Sequence, residues 1–193
     1  DLSPDTPYLI APSEVHPVYV VTGVEWLART QPALQTVAMC TQRDGMGLPS
    51  LATYRAAFKA RGIGIIKEVQ YPAEGGDVAA IVQPMLDANP DILCWCTSYA
   101  PMVHAMTEYA YGQGFTGQIL SCTLDNYERL VERTDRAFME GLVFQFPDFD
   151  DPALIEKAFF FNQPHVFYEE YTCRFPQSWS AVSWEYAAIL DIW

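Results

Sequence analysis

The chain has 193 residues, half of them hydrophobic and 14% aromatic, enough apolar side chain for one sizeable buried core. Its 24 acidic and 11 basic residues give a formal net charge of −13, and the basic residues form no stripe, which argues against a nucleic-acid partner. No apolar run approaches the ~20 residues of a membrane span, so no membrane insertion is expected. Asp1-Leu2-Ser3-Pro4 opens without a charged and then apolar leader, so any export signal is expected to lie outside these residues.

Residues 1–34 hold no strand-helix pair of their own and read as the tail of a preceding unit with its crossover. From Thr36 onward one unit repeats, an apolar strand followed by an amphipathic helix, which predicts a parallel sheet. The expected strands are Thr36 to Thr41, Gly64 to Val69, Asp91 to Thr97, Gln118 to Cys122 and Leu142 to Phe146. Near-continuous apolar runs of this kind suit strands buried on both faces. Between them lie helices over Leu48 to Arg61, stopped by Gly62, Val78 to Ala88, stopped by Asn89-Pro90, and Pro101 to Tyr111, stopped by Gly112. Val78, Ile81, Val82, Met85 and Leu86 form one stripe, with Asp77 placed to cap the first turn. A shorter helix over Asn126 to Arg133 follows Asp125.

The fold expected is α/β, a doubly wound parallel sheet flanked by helices, over residues 35–147, with Pro147 at its exit. Asp148 to Asp151 with Pro152 suits a crossing linker, followed by helices over Ala153 to Phe161 and Ser180 to Trp193, so residues 148–193 read as a return crossover with helices of the other lobe. The apolar finish at Ile192-Trp193 lacks a stop signal, and both ends are expected to be truncated.

Five cysteines, Cys40, Cys94, Cys96, Cys122 and Cys173, match no disulfide scaffold by number or spacing. On a strand, Cys94 and Cys96 share a face, which favours core packing over a metal or redox role. His16, His104 and His165 stand in unrelated contexts, with His104 expected on an exposed helix face. Gly45-x-Gly47 is too short for a dinucleotide fingerprint, and no nucleophile elbow, phosphate loop or metal-ligand spacing occurs. No catalytic residue, metal or cofactor is therefore expected.

Several stretches recur in a telling order. Thr36 to Gly47 is an apolar strand, a polar loop and a residue-Gly pair with Met46 in the first place; Tyr71 to Val78 is an extended Tyr-Pro segment reaching Asp77; Ala88 to Leu93 is an Asn-Pro-Asp start to a strand. Glu140-Gly141-Leu142-Val143 and Glu185-Tyr186-Ala187-Ala188 follow, and Ile10-Ala11-Pro12-Ser13 precedes them. From about Pro7 onward this set resembles the type I periplasmic binding proteins, the Leu/Ile/Val-binding-like receptors of ABC transporters, mainly their C-terminal lobe. The resemblance implies two doubly wound lobes joined by three crossovers, with a solute trapped between them, a membrane permease as partner and an extracytoplasmic location.

In open parallel sheets ligands bind beyond the carboxyl ends of the strands. The stretches there are Gln42-Arg43-Asp44-Gly45, Tyr71, Ser98-Tyr99-Ala100, Thr123-Leu124-Asp125 and Phe146-Pro147. The resemblance puts Tyr99 and Thr123 at solute contacts; Thr123 stands where the family has an acidic contact, and Asp125 could supply that carboxylate. Tyr99 offers a ring and a hydroxyl, or else simply starts a helix packed on Met102 or Met106. Arg43 could grip a carboxylate or pair with Asp44 at the surface. Ser183 and Trp184 fall at the family's hinge-side position, although Trp184, like Trp26, Trp179 and Trp193, has helical spacing typical of core. The solute expected is an amino acid or an organic or aromatic carboxylate. Two other readings stay open, an intracellular ligand sensor of the same fold and a flavodoxin-like enzyme using Cys40 or Cys122 as nucleophile; a depressed thiol pKa would mark the last.

Overall fold

The apolar runs become strands because each finds a parallel neighbour on the same ladder. A computed structural model describes residues 16–96, 99–122, 124, 127–144, 164–176 and 178. Among them β1 (Thr36–Gln42), β2 (Gly64–Tyr71), β3 (Ile92–Trp95), β4 (Gln118–Ser121) and β5 (Leu142–Phe144) form one parallel sheet in the order β2-β1-β3-β4-β5. The helices are α1 (His16–Thr30), α2 (Gly47–Ala60), α3 (Val78–Asp87), α4 (Ala100–Gly112), α5 (Tyr127–Arg133), α6 (Arg136–Glu140) and α7 (Pro164–Arg174).

Strand alternation divides the core in two. Val37, Met39, Ile92, Cys94 and Leu120 pack with Val20, Val24 and Leu27 of α1 and with Leu51, Tyr54 and Phe58 of α2. Ala38, Cys40, Leu93, Trp95 and Ile119 point to the other face, where they join Ile81, Val82 and Met85 of α3, Met102, Val103 and Met106 of α4, and Leu130 of α5. Helices therefore cover both faces, as a doubly wound sheet requires. The buried Trp95 indole N–H is satisfied by Thr107 Oγ1 at 3.1 Å.

The stop signals act as read. Gly62 takes φ 72° after α2, and Asn89 takes φ 53° after α3, the left-handed conformation that a bulkier residue adopts at a cost. Gly112 is instead the last residue of α4, and Gly114 makes the turn with φ 74°. Asp77 caps α3 by accepting from the Ala79 N–H at 3.0 Å.

The structure departs from expectation in several places. Residues 16–34 were grouped with a preceding unit, but α1 buries Val20, Val24 and Leu27 against this sheet, and the compact unit runs His16–Gln145. Trp26 lies off that stripe and is 41% exposed, so it is no core residue. β2 continues to Tyr71, because its pairing with β1 extends to Gln42↔Tyr71, whereas β3 ends at Trp95. The short helix α6 was not anticipated; Asp135 caps it by accepting from the Phe138 N–H at 2.7 Å. The second unit comprises Asp1–Val15 and Phe146–Trp193, and its described helix α7 was also unread. The expected linker and helices at 148–161 and 180–193, and Pro147, fall outside the described residues.

One carboxylate holds the amino ends of β1 and β3 together. Asp91 Oδ2 accepts from the Gln35 N–H at 2.8 Å, from the Thr36 N–H at 2.9 Å and from the Thr36 hydroxyl at 2.9 Å. The Asp91 N–H in turn donates to Thr36 Oγ1 at 3.0 Å. The Gln35 N–H, foremost among these donors, holds the Asp91 carboxyl below the usual carboxylate range. Asp91→Ala should therefore lower stability by about 1–2 kcal/mol at pH 7. A folded pKa below the unfolded value of about 3.9 makes this contribution complete above that value and lost as pH falls through the folded one. Urea titrations at pH 7 and pH 3 should show the gap between wild type and variant narrow on acidification.

Candidate functional site

The winding sense reverses between β1 and β3. The chain leaves β1 for α2 on one face and leaves β3 for α4 on the other, and in open parallel sheets the carboxyl edge at such a switch point is where ligands bind.

On the β1 side, Arg43 is anchored by its backbone, whose N–H donates to the Tyr71 carbonyl at 2.8 Å. Its side chain is exposed and makes no ion pair among the described residues. The alternative surface pairing with Asp44 does not form, because Asp44 is committed to the turn. Asp44 Oδ1 accepts from the Gly47 N–H at 2.6 Å and from the Met46 N–H at 3.0 Å. The bond to Gly47 is the main cause that holds the Asp44 carboxyl below its ordinary range. Gly47 is needed for close approach: a Cβ there would stand 2.1 Å from the Gln42 carbonyl oxygen and 2.6 Å from Thr41 Oγ1. Gln42 and Tyr71, both expected in loops, lie in strands and are buried, with the Tyr71 hydroxyl 3.5 Å from Gln42 Oε1.

On the β3 side, Tyr99 immediately precedes α4, and its carbonyl accepts from the Met102 and Val103 N–H groups at 3.0 and 3.1 Å. A Cβ built on Gly75 would lie 3.3 Å from Met102 Sδ and 3.9 Å from Tyr99 Cε1, so the ring has a packed flank, yet Tyr99 remains 44% exposed. Ala100 opens α4 and is half-buried. Leu124, expected at the surface of the site, is buried in the core on the α4 face. His104, expected on an exposed face, is half-buried. Ser98, Thr123, Asp125, Phe146, Ser183 and Trp184 lie outside the described residues.

Sequence reading passed over other side chains at this edge. Met46, Leu48 and Tyr127 are exposed, and the Tyr127 ring lies 6.1 Å from that of Phe144, centroid to centroid, at 32°. Tyr127 opens α5 just after the 123–125 stretch, and Phe144 ends β5. Their adjacency across a strand and the next helix has no periodicity of its own to announce it. Thr41 was read only as a strand residue, yet its hydroxyl lies 3.0 Å from the Gly47 carbonyl and 2.9 Å from the Cys96 carbonyl.

The thiols lie beneath this edge. Cys94 and Cys96 share a face as expected, with sulfurs 3.6 Å apart, and Cys40 on the opposite face has its sulfur 3.5 Å from Met106 Sδ. Burial pushes the Cys40 thiol well up, and pushes Cys122 up to about 12. A nucleophile requires the reverse shift. Among the described residues no group of three His, Cys, Asp or Glu side chains is arranged to hold a metal ion.

The periplasmic binding protein family profile matches residues 2–192. Among solved structures, an extracellular ligand-binding receptor of Rhodopseudomonas palustris is similar at 17% identity and a TM-score of 0.72, over 97% of this chain and 52% of its own. A leucine-binding protein of Thermotoga maritima matches at 21% identity and a TM-score of 0.66, over 91% of this chain and 48% of its own. A solute-binding protein of an ABC transporter from R. palustris, in complex with 4-hydroxybenzoate, matches at 18% identity and a TM-score of 0.54, over 60% of this chain and 32% of its own. At these identities the structures speak for the fold, and the chain spans about half the length of the first two. No curated protein sequence matches.

Because Cys40, Cys94, Cys96 and Cys122 are buried and Cys173 is exposed, an aromatic disulfide reagent at pH 8 should titrate one fast thiol in the native chain. All five cysteines should react after unfolding. A second fast thiol, traced to Cys40 or Cys122 by mass, would restore the nucleophile reading.

Proposed function

The chain belongs to the periplasmic binding protein family, and from that premise we propose that it forms one lobe of an extracytoplasmic receptor that captures a small organic acid or amino acid for an ABC-transporter permease. In this reading residues 16–145 supply the C-terminal lobe, residues 1–15 and 146–193 carry the crossovers and parts of the other lobe, and hinge closure buries the solute. The protein acts by binding and release, without catalysis.

The observation that carries the reading is the pairing of an exposed cation and a half-exposed aromatic on the two loops that diverge from β1 and β3. Arg43 can meet a carboxylate with a planar fork, while the Tyr99 ring covers an apolar body. The Tyr127–Phe144 pair adds aromatic surface farther along the edge. A solute with one carboxylate and an aromatic or branched apolar body fits this combination; the neighbours include one complexed with 4-hydroxybenzoate and one that binds leucine. Sequence position and the resemblance to the family assign Ser98, Ala100, Thr123, Asp125 and Phe146 to the same wall, with the Asp125 carboxylate as the partner for an amino group, and Ser183 and Trp184 to the hinge side.

A thermal-shift screen of the whole receptor against amino acids, aliphatic carboxylates and hydroxybenzoates should raise the melting temperature for one of these classes. In calorimetry with the hit, Tyr99→Ala should cost about 1–3 kcal/mol, roughly ten- to a hundred-fold in affinity. Arg43→Ala should weaken carboxylates and leave their amides unaffected. Unchanged affinity in both variants would remove the site from this edge, and turnover of the hit would remove the receptor reading.

A further inference from the structure

We propose that Thr41 is the positioning residue of the solute face, its single hydroxyl holding in register the two loops that carry Arg43 and Tyr99; the solute half of this inference rests on the function proposed above. The backbone ladder between β1 and β3 runs from Val37↔Ile92 to Cys40↔Trp95, and one further bond, from the Cys96 N–H to the Cys40 carbonyl, extends it at 2.9 Å. Beyond that point the chains part, one toward α2 and the other toward α4.

Thr41 stands at the fork and is fully buried. Its hydroxyl lies 2.9 Å from the Cys96 carbonyl and 3.0 Å from the Gly47 carbonyl, so it extends the pairing one residue past the ladder and reaches the first residue of α2 as well. A hydroxyl carries one proton, so it donates to one carbonyl at a time or shares between them. Either arrangement keeps both carbonyls within 3.0 Å of one atom.

The surroundings make this contact exacting. Gly47 can come so near because it lacks the Cβ that would stand 2.6 Å from Thr41 Oγ1. Asp44 draws the same turn closed through the Met46 and Gly47 N–H groups. Arg43 is two residues beyond Thr41 along the chain, and Tyr99 three beyond Cys96. A displacement of either loop is therefore transmitted to a side chain that touches the solute, and a misplaced contact weakens binding even when the fold survives.

Thr41→Val preserves shape and removes the hydroxyl, while Thr41→Ser keeps it. In solute-free protein, hydrogen exchange of the Met46, Gly47 and Cys96 amides should rise about ten-fold or more in Thr41→Val, with the Ile119 and Leu120 amides of β4 unchanged and Thr41→Ser close to wild type. Calorimetry of the whole receptor with 4-hydroxybenzoate and with leucine should show Thr41→Val weakening whichever one binds by about ten-fold, and Thr41→Ser restoring it. Unchanged exchange at the three amides, or a rise spread equally into β4, overturns the proposal. Local exchange as expected with unaltered affinity overturns its solute half. If neither probe binds the wild type, the proposed solute classes fall with it, while exchange still decides whether Thr41 holds the loops.

Discussion

A parallel sheet that must be hidden on both faces governs the rest of this structure. β3 and β4 are buried along their whole length, so helices must lie on each side, and right-handed crossovers reach both sides only if the chain reverses its direction of travel across the sheet. The reversal falls between β1 and β3. There the connections run away from each other, from β1 through α2 on one face to β2 and from β3 through α4 on the other to β4. A switch point of this kind is a by-product of covering the core, and in open parallel sheets it is where ligand-binding groups are placed.

Charge is distributed to suit. The chain has a large acidic excess, yet the carboxylates most closely tied to the fold hold backbone N–H groups: Asp44 and Asp135 close turns before helices, Asp77 caps α3, and Asp91 joins two strands. Four arginines of the larger unit pair with glutamates, Arg55 with Glu68, Arg61 with Glu25, Arg133 with Glu108 and Arg136 with Glu140. These pairs lie at the surface, where each contributes at most about 1 kcal/mol, and their effect on the site is to occupy cations elsewhere. Arg43 differs because its neighbour Asp44 is already engaged by two N–H donors. The turn that shapes the loop thus leaves the guanidinium available.

The inner strands β1, β3 and β4 were legible because burial on both faces writes itself into the sequence as continuous apolar runs, whereas the edge strand β2 is mostly exposed, and Asn89, Gly62 and Asp77 mark helix limits by chemistry that acts within a few residues. What escaped depended on distant partners. Tyr71 precedes Pro72 and reads as a loop, and only its pairing with Gln42 makes it a strand residue. α1 carries Val20, Val24 and Leu27 at helical spacing, but nothing local says which sheet they meet. Leu124 looks like a loop contact because its neighbours are polar, although it turns into the core. Tyr99, Arg43 and Asp44 could be singled out because the end of an apolar strand is visible in sequence. The role of Thr41 could not, since its two acceptors belong to residues 6 and 55 positions away.

The exposed apolar surface at the carboxyl edge connects the fold to binding. Tyr99 and Tyr127, 44% and 48% exposed, stand at the starts of α4 and α5, over a core already filled by Met102, Met106 and Leu130. Each Å² of such surface that a solute covers is worth about 25 cal/mol, so masking some 50 Å² on one ring returns roughly 1 kcal/mol. A polar contact of Arg43 gives a comparable amount, since forming it strips water from both charges. Affinity built from two terms of similar size is sensitive to whether both are satisfied at once. In the proposed receptor, therefore, the geometry between the loops, more than the strength of either contact, determines how well this edge discriminates among solutes.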